Sequence, residues 1–301
     1  MVVALFQSAT MHPVVYYKKQ GSKFTLQSIH GNWRLFLVND SVVLLSPHRP
    51  CVLPLGVYVT LPPGYAAFII GHAGPDITCH CGLVDPGYDG ELKLIINVCS
   101  IYNVALWPGR LRVYITAFEY STPMLLVASP LTRPRYHLDA GFDLRVPYSF
   151  TIYPHQSSTV TIRSPCPAPV RFFKPVVVGR SGLAASGVTV RVTRWRNNNL
   201  KILVYNHTEN TVAFDCGARF CQVVFIHHRH LPAVYVKCLK HMKLGDSVPF
   251  TCKNVRFEGM SEVLPSQRPP PALNGCDLLG ALKDKYRGEK RGAAGFGSSG
   301  V

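Results

Sequence analysis

The sequence predicts an all-β protein with few short helices, built from two diverged copies of one sheet plan. Three observations carry that prediction. Glycine and proline number 24 each and fall between short apolar runs, the punctuation of many strands joined by tight turns. Several of those runs alternate apolar with polar residues, which is the period of a half-buried strand. Finally, an offset of 108 residues carries one half of the chain onto the other without a gap. It places Gly71-His72-Ala73-Gly74 on Gly179-Arg180-Ser181-Gly182, Leu92-Lys93 on Leu200-Lys201, Val104-Ala105 on Val212-Ala213, and Gly109 on Gly217.

In chain order, strands are expected at residues 24–29, 33–38, 42–45 and 56–61, then, after Pro62-Pro63-Gly64-Tyr65, at 66–70, 92–98 and 111–118. These make a first β-domain over residues 1–121. Residues 122–137 read as a linker stiffened by Pro123, Pro130 and Pro134. A second β-domain over 138–230 holds expected strands at 142–146, 159–163, 176–178, 188–193, 200–205, 211–214 and 219–226. An irregular extension follows over 231–285, where Leu278, Leu279 and Leu282 at helical spacing predict a short helix over 277–286. The end, 286–301, is basic, glycine-rich and too poor in apolar residues to hold itself down, so a flexible tail is expected.

With 47% apolar and 16% charged residues, the 301-residue chain is neither disordered nor a coiled coil. No apolar run approaches the roughly 20 residues that span a bilayer, and the start lacks a basic secretory n-region. A soluble, intracellular protein is expected, its ten cysteines kept as thiols. Cys79-His80-Cys81 has no C-x-x-C companion, and alternate strand residues point to opposite faces, which weighs against zinc and its four convergent ligands. His227-His228-Arg229-His230 closes an apolar run and is expected to open a solvated loop. The net charge of +16 calls for an anionic partner or counterions. Nucleic acid and a nucleoside triphosphate both satisfy it. The basic residues are scattered rather than striped with aromatics, and the densest patch, Arg191-Val192-Thr193-Arg194-Trp195-Arg196, reads as a strand with a solvated basic face.

Gly82-Leu83-Val84-Asp85-Pro86-Gly87-Tyr88-Asp89-Gly90-Glu91-Leu92-Lys93-Leu94 reads as two apolar arms around a Pro-Gly/Asp-Gly tip, a β-hairpin. Asp85 is then held by a turn beside an aromatic ring. Such a carboxylate is either a water-activating base or an ordinary turn residue. The stretch resembles the third signature motif of the dUTPase family. That resemblance implies Asp85 as the base, Tyr88 under the deoxyribose where it excludes a 2′-hydroxyl, and backbone from Gly82 onward reading the uracil edge.

Four further stretches are similar to the remaining dUTPase motifs. Ala140-Gly141-Phe142-Asp143-Leu144 resembles the first, implying that Asp143 orients waters on a Mg²⁺ chelated by the phosphates; such an ion keeps its waters readily. Gly179-Arg180-Ser181-Gly182-Leu183-Ala184 resembles the second, implying phosphate contacts from Arg180, Ser181 and Gly182. Gly217-Ala218-Arg219-Phe220-Cys221-Gln222 resembles the fourth, with Gln222 reaching the phosphates and Ala218 where many members carry an acid that seats the tail arginine. Arg291-Gly292-Ala293-Ala294-Gly295-Phe296-Gly297-Ser298-Ser299-Gly300 is similar to the fifth. It implies Phe296 stacked on uracil, Arg291 on the terminal phosphate, Ser298 and Ser299 donating to phosphate oxygens, and Gly297 among the substrate-binding residues.

The third motif precedes the first in a chain of double length, an order that resembles the herpesvirus dUTPases and fits the gammaherpesvirus group by length. The implied protein is a Mg²⁺-dependent dUTP hydrolase of the infected cell nucleus or cytoplasm, a monomer with one site per chain. It needs neither nucleic acid nor membrane, and it keeps dUTP low while supplying dUMP for dTTP synthesis. Two rivals remain at this point. A dCTP deaminase of the same fold would need a differently placed catalytic Glu and no Phe-Gly-Ser-Ser tail. A non-catalytic binding protein on the same scaffold would be free to lose Asp85, Tyr88, Asp143, Ser181 and Phe296, all of which are present.

Overall fold

The computed structural model describes residues 14–30, 34–47, 49–125, 129–134, 136, 138–166, 171–196, 198–230 and 255–260. Strand follows strand, and the single helix among the described residues is one short turn, Ser181–Ala185. None of the described residues forms a helix long and apolar enough to cross a membrane.

Two open sheets of like design carry the fold. In the first, strands run in the order Phe24–His30, Arg34–Asn39, Arg112–Ser121, Tyr65–His72, Gly82–Val84. In the second the order is Leu131–Thr132, Gly141–Arg145, Arg219–His227, Phe173–Gly179, Thr193–Arg194. Across each core lie smaller antiparallel sets. Val104–Leu106 pairs with Val43–Leu45, as Val212–Phe214 pairs with Phe150–Ile152. Likewise Lys93–Val98 lies between Cys51–Pro54 and Ile77–Cys79, as Leu200–Asn206 lies between Ser157–Ile162 and Val188–Val190. Each pairing of the second half therefore has its counterpart in the first. The first half adds a three-stranded set in which Val14–Lys19 pairs with Val57–Thr60 and, in parallel, with Val255–Met260.

The long sheet strands are apolar on both faces because each face meets a different core. Along Tyr65–His72, Tyr65, Ala67 and Ile69 enter the first half's core, while Ala66, Phe68 and Ile70 turn to a shared layer between halves. The second half answers with Val176, Val178, Val224 and Ile226 in that layer, and Val177, Val223 and Phe225 in its own core. Phe68 and Phe118 pack ring on ring in the layer with centroids 4.5 Å apart. Burying such side chains is worth roughly 1.5–3 kcal/mol each. The sheets also join directly where Tyr120 pairs with Ile226 and Ser121 with Phe225.

Several expectations need correction. The Asp85 stretch is no β-hairpin: Gly82–Val84 pairs with Tyr65–His72, whereas Lys93–Val98 pairs with Cys51–Pro54 and Ile77–Cys79. Both apolar arms are strands, but tertiary packing chooses their partners. Within 122–137, Leu131–Thr132 joins the second sheet, with Leu131 buried in its core. The Gly-rich turn after Gly179 folds into one helical turn, Ala184 donating to the Arg180 carbonyl at 3.0 Å. The histidine run does not open into solvent throughout: His230 is buried, and its Nδ1 accepts the Glu119 backbone N–H at 2.7 Å. The helix expected over 277–286 and the tail lie outside the described residues.

Candidate active site

Asp85 follows the strand Gly82–Val84 as first residue of a turn that Tyr88 closes, its N–H donating to the Asp85 carbonyl at 3.0 Å. The side chain is only 3% exposed, so it needs a donor, and it finds one in the other half. Oδ1 accepts the Ala140 backbone N–H at 2.7 Å, a charge-assisted bond across 55 residues of sequence. Leu138 lies beside Gly87 in the same contact; a Cβ at Gly87 would meet Leu138 Cδ1 at 3.4 Å. Tyr120 hydrogen-bonds the Leu138 carbonyl at 3.3 Å. Burial, and then the carboxylates of Asp85 and Asp139, push its phenol well above the usual range.

The rest of the turn is tied down by its own polar groups. Tyr88 donates its hydroxyl to the Glu91 carbonyl at 2.8 Å, and Glu91 Oε1 accepts the Gly56 N–H at 2.7 Å. Gly90 is required here for space. A Cβ would lie 2.5 Å from the Tyr88 hydroxyl and 2.7 Å from Cζ.

Three strands of the second sheet bring the remaining motif residues to this turn. Asp143 on Gly141–Arg145 stands opposite Gln222 on Arg219–His227, and Cys221 of that strand stands opposite Gly179. Gly141 is the meeting point: a Cβ there would lie 3.0 Å from Leu83 Cδ2 and 3.2 Å from Gln222 Cδ. Asp143 is buried and held between two guanidinium groups, with Arg180 Nε 3.4 Å from Oδ1 and Arg219 Nη1 donating to Oδ2 at 3.3 Å. Arg180, 7% exposed, also donates from Nη1 to the Arg219 carbonyl at 3.3 Å. Burial pulls its guanidinium below the ordinary value, against the attraction of Asp143. Buried pairs of this kind are dear to break, since removing one partner strands the other's charge.

Ser181, just after Arg180, reaches a cleft that it lines together with Gly82, Val84, Tyr88, Lys93 and His80. The turn bearing Asp85 and the turn bearing Arg180 thus open on one space. Among the described residues Gly82–Val84 pairs on one side only, with Tyr65–His72, so a ligand with hydrogen-bonding edges has backbone to meet. Gly182 is half-buried in the helical turn behind Ser181. Arg291, Phe296, Gly297, Ser298 and Ser299 lie outside the described residues.

Among the described residues no three His, Cys, Asp or Glu side chains gather to hold a metal directly. Asp143 suits the looser role. Its Oδ1 has an electrostatic contact with Arg180 but no aligned hydrogen bond among the described residues, which fits an oxygen that accepts from a water of a hydrated Mg²⁺.

Arg219, Asp139, Tyr120 and His80 are site neighbours to which the sequence assigned no role in the site, His80 having been weighed only within Cys79-His80-Cys81 as a zinc ligand. Arg219 and Asp139 lie within or beside quoted motifs, so the signal was local. The places of Tyr120 and His80 follow from pairings between distant strands, which no local stretch reveals.

The sequence profile of the dUTPase family matches residues 128–251. The deoxyuridine 5′-triphosphate nucleotidohydrolase of Equine herpesvirus 2 is 38% identical over 288 residues, 95% of this chain and 96% of that protein. That of Human herpesvirus 8 is 34% identical over 291 residues, 96% of this chain and 97% of the relative. Among solved structures, a native EIAV dUTPase matches 35% of this chain and 89% of its own at 20% identity and a TM-score of 0.30.

Proposed function

The chain belongs to the dUTPase family, with the herpesvirus enzymes, and on that premise we propose that its two halves enclose one nucleotide in one site per chain. As a dUTP diphosphatase it converts dUTP to dUMP and pyrophosphate. The observation that carries the division of labour is the joint lining of one cleft by Gly82 and Tyr88 from the first half and Ser181 from the second.

Asp85 is the base. Its carboxylate is fixed by the Ala140 N–H, so it meets the attacking water in one orientation rather than many. The water's oxygen bonds to the α-phosphorus in line with the leaving group, its proton passes to Asp85, and the bond to the bridging oxygen breaks to release pyrophosphate. Tyr88 packs beneath the deoxyribose with its hydroxyl kept on Glu91, leaving no space for a 2′-hydroxyl. The backbone from Gly82 reads uracil. Arg180, Ser181, Gly182 and Gln222 serve the phosphates. Arg291, Phe296, Gly297, Ser298 and Ser299 close over the ligand, Phe296 on the base and Arg291, Ser298 and Ser299 on phosphate. Asp143 would hold a hydrated Mg²⁺ through its waters, and the ion would supply charge neutralisation to the triphosphate. The two halves are diverged copies of one β-barrel plan, each keeping part of the site, so the protein works as a monomer.

The test is pyrophosphate release from dUTP, UTP and dTTP by the purified chain. Turnover of dUTP far above the other two is expected, and equal turnover of UTP would overturn the role given to Tyr88.

A further inference from the structure

His80 belongs to none of the motifs, yet it lines the same cleft as Gly82, Tyr88 and Ser181. Its backbone N–H donates to the Ile95 carbonyl at 2.9 Å, which fixes where the ring begins. The ring then reaches across to the other half. A Cβ on Gly179 would lie 3.0 Å from His80 Cε1 and 3.3 Å from Nδ1, so the imidazole stands against the first residue of the Gly179-Arg180-Ser181-Gly182 turn. Only 4% of the residue is exposed, and Nε2 is buried with no hydrogen-bond partner among the described residues. Burial pulls the ring to a pKa of about 4, so at neutral pH it is an uncharged imidazole with one N–H and one lone pair. A residue needed only to fill space would do so at lower cost with an apolar side chain, since an unmet ring nitrogen is a penalty of the unliganded fold.

We propose that His80 is a further substrate-binding residue, hydrogen-bonding the nucleotide phosphate that lies nearest Ser181, at the junction of sugar and phosphate turn. This rests on the reading of Ser181 as a phosphate donor. An uncharged donor suits the place. It adds a directed hydrogen bond without crowding a second cation against Arg180, and its protonation state stays constant over the working pH range.

The experiment measures affinities of deoxyuridine, dUMP and the α,β-imido analogue of dUTP for wild type, His80→Leu and His80→Gln. His80→Leu should leave deoxyuridine binding within about twofold and weaken dUMP and the analogue roughly tenfold, the scale of one hydrogen bond. His80→Gln, which carries an N–H at similar reach, should recover most of that loss. Equal losses for all three ligands, no loss at all, or a Gln variant no better than Leu overturns the role. In wild type labelled with ¹⁵N-histidine, the His80 Nε2 resonance, identified by its disappearance in His80→Gln, should move with dUMP and not with deoxyuridine; an unmoved resonance also overturns it. If wild type binds the analogue no tighter than deoxyuridine, the phosphate-turn reading itself has failed, and the proposal falls with it.

Discussion

Asp85 and His80 are both buried polar residues at the seam of the two halves, and each has a measurable signature. Asp85→Asn keeps an oxygen that can accept from Ala140 while losing the basicity needed to take a proton. Turnover of dUTP should fall by roughly 10³-fold, within the range of positioned general bases, while the α,β-imido analogue binds within a few-fold of wild type. A kcat near that of wild type would remove Asp85 from the reaction. For His80, burial lowers the pKa from 6.5 in the open chain to about 4. His207 is likewise brought to about 4, by burial and then by His155. Between those values the unfolded chain binds more protons than the folded one, so this stability is complete above pH 6.5 and drains away as pH falls towards 4. For His80 alone the full loss is roughly 3 kcal/mol. Urea midpoints followed from pH 7 to pH 4.5 should therefore fall more steeply for wild type than for His80→Gln; parallel curves would show that His80 titrates normally.

At the scale of elements, the turn from Asp85 to Glu91 is the unit proposed to serve the chemistry, and Gly90 is its tightest point. With a Cβ only 2.5 Å from the Tyr88 hydroxyl, Gly90→Ala must push the phenol off the Glu91 carbonyl. A packed surface rejects an added hydroxyl by about 10²-fold, so the ratio of kcat/KM for dUTP over UTP should drop by roughly tenfold. An unchanged ratio would mean that Tyr88 does not gate the sugar. The same turn shows what the sequence could tell. The motifs that carry Asp85, Tyr88, Asp143, Arg180 and Gln222 could be read because each is short and local. The long strands were legible as well, from short apolar runs bounded by turn residues. The hairpin reading failed because Gly82–Val84 and Lys93–Val98 each found a distant partner, and alternation carries no information about pairing. Short strands such as Val104–Leu106 and Phe150–Ile152 escaped notice because three residues hold too little pattern. The bond from Ala140 to Asp85 was invisible for a related reason, being made by backbone.

Over the whole molecule, the 108-residue offset seen in the sequence becomes a matched set of strand pairings, with Val104–Leu106 on Val43–Leu45 answered by Val212–Phe214 on Phe150–Ile152. Between the halves lies an apolar layer containing Phe68, Phe118, Val176 and Val224, which fixes one sheet against the other. That rigidity is what allows Asp85 from one half to lean on Ala140 from the next, and Gly82 to share a cleft with Ser181. The most direct measurement is a crystal structure of the protein with the α,β-imido analogue of dUTP. The nucleotide should lie with its base on Gly82–Val84, its sugar on Tyr88 and its phosphates on Arg180 and Ser181. A nucleotide held by one half alone, with Asp85 or Ser181 out of reach of it, would contradict the account.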